Sequence, residues 1–148
     1  MENKTNSYNL SEEEHPIDIL GFDCCLMATI DTAATFSDIA RYLVASEEVE
    51  PGDGWDYTVW LKALAEQPSM NGARVGRAIA DSYMDFYTKY NKHRELLGRE
   101  IAVTFSVVDI AKAVELDDAY DVMNKAFLKK IAEDPSVLTD MSRAANET

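Results

Sequence analysis

IDILGFDCCLMA, residues 17–28, is the stretch on which the fold turns. Ile17 to Phe22 form a short, mainly apolar run held between Pro16 and Asp23. Such a run, too short for a helix and bounded by breaking or polar residues, reads as a strand buried in a parallel sheet. Cys24 and Cys25 follow it directly, beyond the carboxyl end of that strand. In open α/β sheets that is where ligands bind.

The rest of the chain fits this start. Thr29 to Ala40 carries Ile30, Ala33, Ala34 and Ala40 at helical spacing, with Phe36 and Ile39 adding bulk. Tyr42 to Ala45 (YLVA) has the composition of a second short strand. The next eleven residues, SEEVEPGDGWD (46–56), hold five acids, two glycines and a proline and read as a loop. Two helices are expected after it, Asp56 to Glu66 and Asn71 to Tyr90, separated by Pro68. The second repeats Val75, Ile79, Tyr83, Phe86, Tyr87 and Tyr90 with a clear 3.6-residue period. EIAVTFSVV, Glu100 to Val108, predicts a strand, and Asp109 is placed to cap a helix running to about Ala132, before Pro135. A short C-terminal helix completes the chain. This order predicts an α/β fold with a parallel sheet. Three strands are few for so many helices, which points to a part of a larger sheet.

With 148 residues and 47% hydrophobic content, the chain has enough apolar material for one domain with a core. No apolar stretch approaches the roughly 18 residues that a membrane span needs. Residues 1–16 are a polar, acidic lead-in without the apolar segment of a signal peptide. The net charge is −13, from 27 acids against 14 bases. A surface of that sign repels nucleic acid and anionic membranes, so neither is expected as a partner. It attracts basic peptides or divalent cations, or simply keeps the chain soluble.

The two cysteines are adjacent, and a disulfide between neighbours is strained. No C-x-x-C spacing exists, and the two histidines are far apart, so a redox pair or Cys/His metal site is not indicated. A thiol between a strand end and a helix N-terminus has a stabilised thiolate and backbone N–H groups near it for an oxyanion. Many cysteines at strand ends do no more than pack.

GFDCCLMA followed by YLVASEEVEPGDGW resembles the clostripain-like cysteine peptidases, whose domain has the caspase–haemoglobinase fold. The pattern of apolar strand, Asp, small residue, Cys, Leu, Met is met here by IDILGF, Asp23, Cys24, Cys25, Leu26 and Met27. The second block stands at the expected distance, and a weaker likeness runs to about residue 115. The resemblance implies a partial caspase-like three-layer sandwich with a mostly parallel sheet. It implies a cysteine endopeptidase with Cys25 as nucleophile. Cys24 falls on the family's small residue and is expected to be buried, because alternate residues at a strand end point opposite ways. The resemblance also implies cleavage after Arg or Lys, with Asp53 and Asp23 as pocket carboxylates. Read alone, Asp53 is a turn residue and Asp23 a helix cap. Trp55 is expected either to wall the pocket or to plug the core. Calcium is a possible cofactor by resemblance, although the chemistry requires none. Glu47, Glu48 and Glu50 are its candidate ligands on that resemblance, although the acidic run does not have the spacing of an EF-hand loop and by itself reads as solvated.

Such an enzyme needs a histidine. The family carries it in a His-Gly motif upstream of the cysteine, and no His-Gly occurs in this sequence. His15 precedes the first strand, roughly 20 Å from Cys25 if six residues are extended. His93 lies in the polar stretch YNKHRELLG. The expectation is therefore that residues 17–148 form the C-terminal part of a caspase-like domain. Its partners are then a peptide or protein substrate with a basic P1 residue and the His-bearing N-terminal half of the domain. The resemblance implies a secreted or cell-surface bacterial enzyme. Two other readings compete: an inactive scaffold of the same fold, and an acidic calcium-binding module.

Overall fold

A computed structural model describes residues 17–95 and 102–146, except the side chains of 92–95. The elements are β1 (Ile17–Gly21), α1 (Ile30–Thr35), β2 (Ala40–Ala45), α2 (Tyr57–Glu66), α3 (Gly72–Glu95), β3 (Ser106–Asp109), α4 (Ile110–Glu133) and α5 (Ser136–Asn146). The sheet order is β1-β2-β3. β1 and β2 run parallel, with Ile19 opposite Tyr42 and Gly21 opposite Val44.

β3 corrects the expectation of a parallel sheet. It pairs antiparallel to β2, with Leu43 opposite Val108 and Val44 opposite Val107. The connection explains the direction, because two helices intervene instead of one. The first turn of α3 lies against the start of β1, where a Cβ on Gly72 would meet the Asp18 carbonyl at 2.8 Å. Farther along α3, the Tyr87 hydroxyl donates to the Gly54 carbonyl near the opposite end of the sheet (2.9 Å). α3 thus delivers the chain to the carboxyl end of β2, and β3 must run back down.

Two elements are shorter than their sequence patterns suggest. α1 stops at Thr35, and Ala40 already belongs to β2. Ser37 helps close the helix by donating its hydroxyl to the Ala34 carbonyl at 2.8 Å. β3 begins only at Ser106. Before it, Thr104 joins β2's outgoing loop through its side chain, pairing with the Ser46 hydroxyl at 3.2 Å and accepting from the Glu48 N–H at 3.1 Å. Residues 100–101 of the expected strand lie outside the described residues. α3 is longer than expected and takes in His93, whereas His15 lies outside the described residues.

The helices cover both faces of the sheet, giving three layers. Leu43 and Ala45 of β2 pack on Ala33 of α1 and on Ile110 and Ala113 of α4. Val44, pointing the other way, packs with Trp55 and with Val75, Ile79, Tyr83 and Tyr87 of α3. Burying a side chain such as Leu43 contributes about 1.5–3 kcal/mol. Gly21 is required at the end of β1, since a Cβ there would stand 2.8 Å from the Trp55 ring. Asp109 caps α4 by accepting from the Lys112 N–H at 3.3 Å, as its position predicts. Within the described residues no helix is long and apolar enough to cross a membrane.

Candidate active site

The site is built where residues 22–28 hang on the outgoing end of β2. The Phe22 N–H donates to the Val44 carbonyl (3.0 Å), Ala28 to Ser46 (3.0 Å) and Leu26 to Glu48 (3.1 Å). Between these anchors the chain makes a tight turn over Cys24, Cys25 and Leu26. Leu26 takes a left-handed conformation, φ 62°. For a residue with a Cβ this is strained by about 1 kcal/mol or more, and such strain collects at functional turns.

The turn changes two expectations. Cys24 is exposed rather than buried, like Cys25. Strand alternation does not govern it, because β1 has ended at Gly21. Nor does a helix terminus hold the thiol. α1 begins five residues later and spans only six, and its Thr29 cap accepts from the Thr32 N–H at 3.0 Å. The donor that reaches the Cys25 sulfur is instead the backbone N–H of Glu50, at 3.2 Å, with the Glu50 carbonyl at 3.8 Å. The cysteine block and the acidic block of the sequence meet at this contact.

Beside it lies a group of carboxylates. Asp23 accepts from the Tyr57 hydroxyl at 2.9 Å and from the Trp55 N–H at 3.4 Å. Gly54 makes room for it, with φ +63° and with an imagined Cβ only 2.9 Å from each Asp23 oxygen. Any other residue at 54 would strain the turn and displace that carboxylate. Glu50 is only 9% exposed, and its Oε1 accepts from the Trp55 indole N–H at 3.3 Å. Burial pushes the Glu50 carboxyl up to about 7, the nearby Asp23 adds to this, and the Trp55 hydrogen bond opposes it. Asp53 stands exposed in the turn closed by the Gly54 N–H on the Pro51 carbonyl (3.0 Å). Its charge faces Tyr87, whose phenol is raised to about 12, chiefly by burial.

The structure thus brings Cys25 and Asp23 together with the loop carrying Asp53 and Trp55. Trp55 is buried, edge-on to Phe105 at 5.2 Å between ring centroids, and fastens Glu50. Sequence reasoning missed three members. Glu50 was read only as a candidate calcium ligand alongside Glu47 and Glu48, and nothing in its spacing marks it as the buried one. Tyr57 gave no signal. Tyr83 read only as part of the apolar stripe of α3. Its hydroxyl is fully buried and has no hydrogen-bond partner among the described residues, and burial together with Glu50, Asp23 and Cys25 raises its phenol above the usual range.

Among the described residues no salt bridge engages Asp23, Glu50 or Asp53. Nor do three or more His, Cys, Asp or Glu side chains there form a group able to hold a metal ion. Glu47 is hydrogen-bonded to the Ser106 hydroxyl and Glu50 to Trp55.

No curated protein matches the chain. Among solved structures it is similar to a cysteine protease of B. fragilis, with 29% identity over 49% of this chain and 28% of that one and a TM-score of 0.42. It is also similar to a clostripain from Bacteroides thetaiotaomicron, solved in complex with a peptide inhibitor, with 20% identity over 69% of this chain and 40% of that one and a TM-score of 0.49. The chain spans less than half the length of either. The clostripain family model, however, matches residues 5–146, and on that match the chain belongs to the clostripain family.

Proposed function

We propose that this chain is the cysteine-bearing portion of an endopeptidase that cleaves after Arg or Lys. The observation that carries the reading is the contact of the Cys25 sulfur with the Glu50 backbone N–H, which joins the turn of Asp23 and Cys25 to the loop that carries Glu50 and Asp53. A cationic side chain held there presents its own carbonyl to the sulfur. The Cys25 thiolate adds to that carbonyl, and the backbone N–H of Cys25 supports the oxyanion. The C–N bond then breaks as a histidine protonates the departing amine, leaving an acyl-enzyme that water hydrolyses.

The histidine comes in this reading from a His-Gly-bearing upstream segment, the N-terminal half of the catalytic domain. Residues 17–148 are then its C-terminal part. β1, which among the described residues pairs with β2 along one side only, supports this. Asp23 and Asp53 are assigned to the substrate's basic group, Asp53 from the open rim. Trp55 acts from beneath as the support of Glu50.

The test is alkylation with an arginine-bearing, thiol-directed affinity label, read by intact mass and peptide mapping. The expected result is one adduct at Cys25 that free arginine analogues suppress. Folded protein that takes no label, or takes it equally at Cys24 and Cys25, contradicts the proposal and favours an inactive scaffold.

A further inference from the structure

The function proposed above uses Cys25 and gives Cys24 no part. Yet these are the two cysteines of the chain, they are neighbours, and both are free and exposed. The Cys25 sulfur is anchored, with the Glu50 N–H at 3.2 Å. Among the described residues no hydrogen bond holds the Cys24 sulfur, which is free to turn towards its neighbour. In a strand, consecutive side chains point to opposite faces, and adjacent thiols are kept apart. That restraint is absent here, because β1 ends at Gly21 and residues 24–26 form a turn with Leu26 at φ 62°. Across the trans peptide that joins the two cysteines, their Cα atoms are about 3.8 Å apart. A disulfide over so short a span is strained, which unsuits it to be a permanent staple and makes it easily reduced.

We propose that Cys24 resolves oxidised Cys25, the two closing a vicinal disulfide when the protein meets a hydroperoxide. The Glu50 N–H supports negative charge on the Cys25 sulfur, which assigns that sulfur the first step. Its thiolate attacks one peroxide oxygen, the O–O bond breaks, and the other oxygen leaves as water or an alcohol with the thiol's proton. Cys25 is then a sulfenic acid. The Cys24 sulfur attacks the Cys25 sulfur. The S–S bond forms, the S–O bond breaks, and the hydroxyl leaves as water with the Cys24 proton. In total the two thiols lose two electrons and two protons, and the peroxide is reduced to two waters, or to water and an alcohol. A dithiol reductant reverses the change by exchange. While it lasts, the disulfide withholds Cys25 from electrophiles and from further oxidation to the sulfinic and sulfonic acids, which thiols do not reverse.

The test is brief treatment of the whole folded chain with hydrogen peroxide, with and without dimedone as a trap for sulfenic acid, read by intact mass and peptide mapping. The expected product is a monomer lighter by two hydrogens, its new bond mapped to Cys24 and Cys25. Dithiothreitol should restore both thiols and the alkylation of Cys25 by iodoacetamide. In Cys24→Ala, dimedone should collect at Cys25, and irreversible oxidation of Cys25 should be at least about tenfold faster than in the unsubstituted chain. A dimedone adduct or sulfinic acid that forms at Cys25 as fast in the unsubstituted chain as in Cys24→Ala overturns the proposal. So do disulfides formed only between chains, and a Cys25 that peroxide leaves untouched. The mass of the oxidised unsubstituted chain decides by itself if Cys24→Ala does not fold. The outcome is separable from that of the proposed function. Disulfide formation without arginine-directed labelling of Cys25 leaves this proposal and removes the peptidase reading, and labelling without disulfide formation does the reverse.

Discussion

The two faces of the sheet are built from different material. Against α1 and α4 the core is aliphatic and small, made of Ala33, Leu43, Ala45, Ile110 and Ala113. Against α3 it is aromatic, with Trp55, Tyr83 and Tyr87 beside Val44, Val75 and Ile79. The first face has nothing to do but exclude water. The second carries polar atoms into the interior, and both buried polar side-chain atoms left without a partner among the described residues, Trp60 Nε1 and Tyr83 Oη, lie on it. Buried unpartnered groups cost stability, and functional sites are where such costs are retained. The carboxylates that flank Cys25 sit over this aromatic face, fastened by Trp55 and Tyr57. The aliphatic face accordingly supports the fold, and the aromatic face supports the loop of carboxylates beside Cys25.

Substitutions can break or sharpen this division. The largest effect is expected at Cys25, the proposed nucleophile. Cys25→Ala should eliminate labelling altogether while changing stability by less than about 1 kcal/mol, because the side chain is exposed. A large loss of stability would show instead that the thiol's contact with Glu50 holds the two blocks together. Next comes the aliphatic face. Leu43 is fully buried, and Leu43→Ala should cost about 2–5 kcal/mol in denaturant unfolding. Folded Leu43→Ala molecules should still label at Cys25, whereas selective loss of labelling would erase the distinction between the faces.

A smaller effect concerns pH. Glu50 is raised from 4.5 to about 7 in the fold, so between those values the native state binds the extra proton. Stability should then fall as pH rises from about 4.5 to 7 and level off above, by on the order of 1–2 kcal/mol, and Glu50→Gln should flatten the profile. A profile that rises over that range would contradict the buried-acid assignment. The smallest effect belongs to Tyr83→Phe, which removes a hydroxyl with no partner among the described residues and should be neutral or stabilising by up to about 1 kcal/mol. A clear destabilisation would mean that the hydroxyl is already satisfied.

How much of this was legible depended on whether a signal was local. β1, the cap at Asp109, the 46–56 loop and the long helices are written in short windows of apolar spacing, capping and breaker residues, and they form close to where those windows place them. The direction of β3 depends on the number of helices crossing before it, which no window contains. The burial of Cys24 was misjudged because strand alternation was carried past Gly21 into a turn set by Leu26. Within the candidate site, Asp23 and Cys25 were singled out because they sit inside the family's pattern. Glu50 was not, since its burial is created by Trp55 folding under Gly21, a contact 34 residues apart in sequence. The same holds for Tyr83, whose helical period shows that it faces inward but not what it faces.

The central claim is that Cys25 is a nucleophile seated beside a recess for a basic side chain. Its most direct test is the rate at which one thiol-directed electrophile alkylates Cys25 when carried by a lysine side chain and when carried by norleucine, which lacks only the ammonium group. The account predicts that the lysine label reacts at least tenfold faster at neutral pH and that the advantage disappears under denaturing conditions. Equal rates in the folded protein would contradict it, because the carboxylates beside the thiol would then have no part in choosing the substrate.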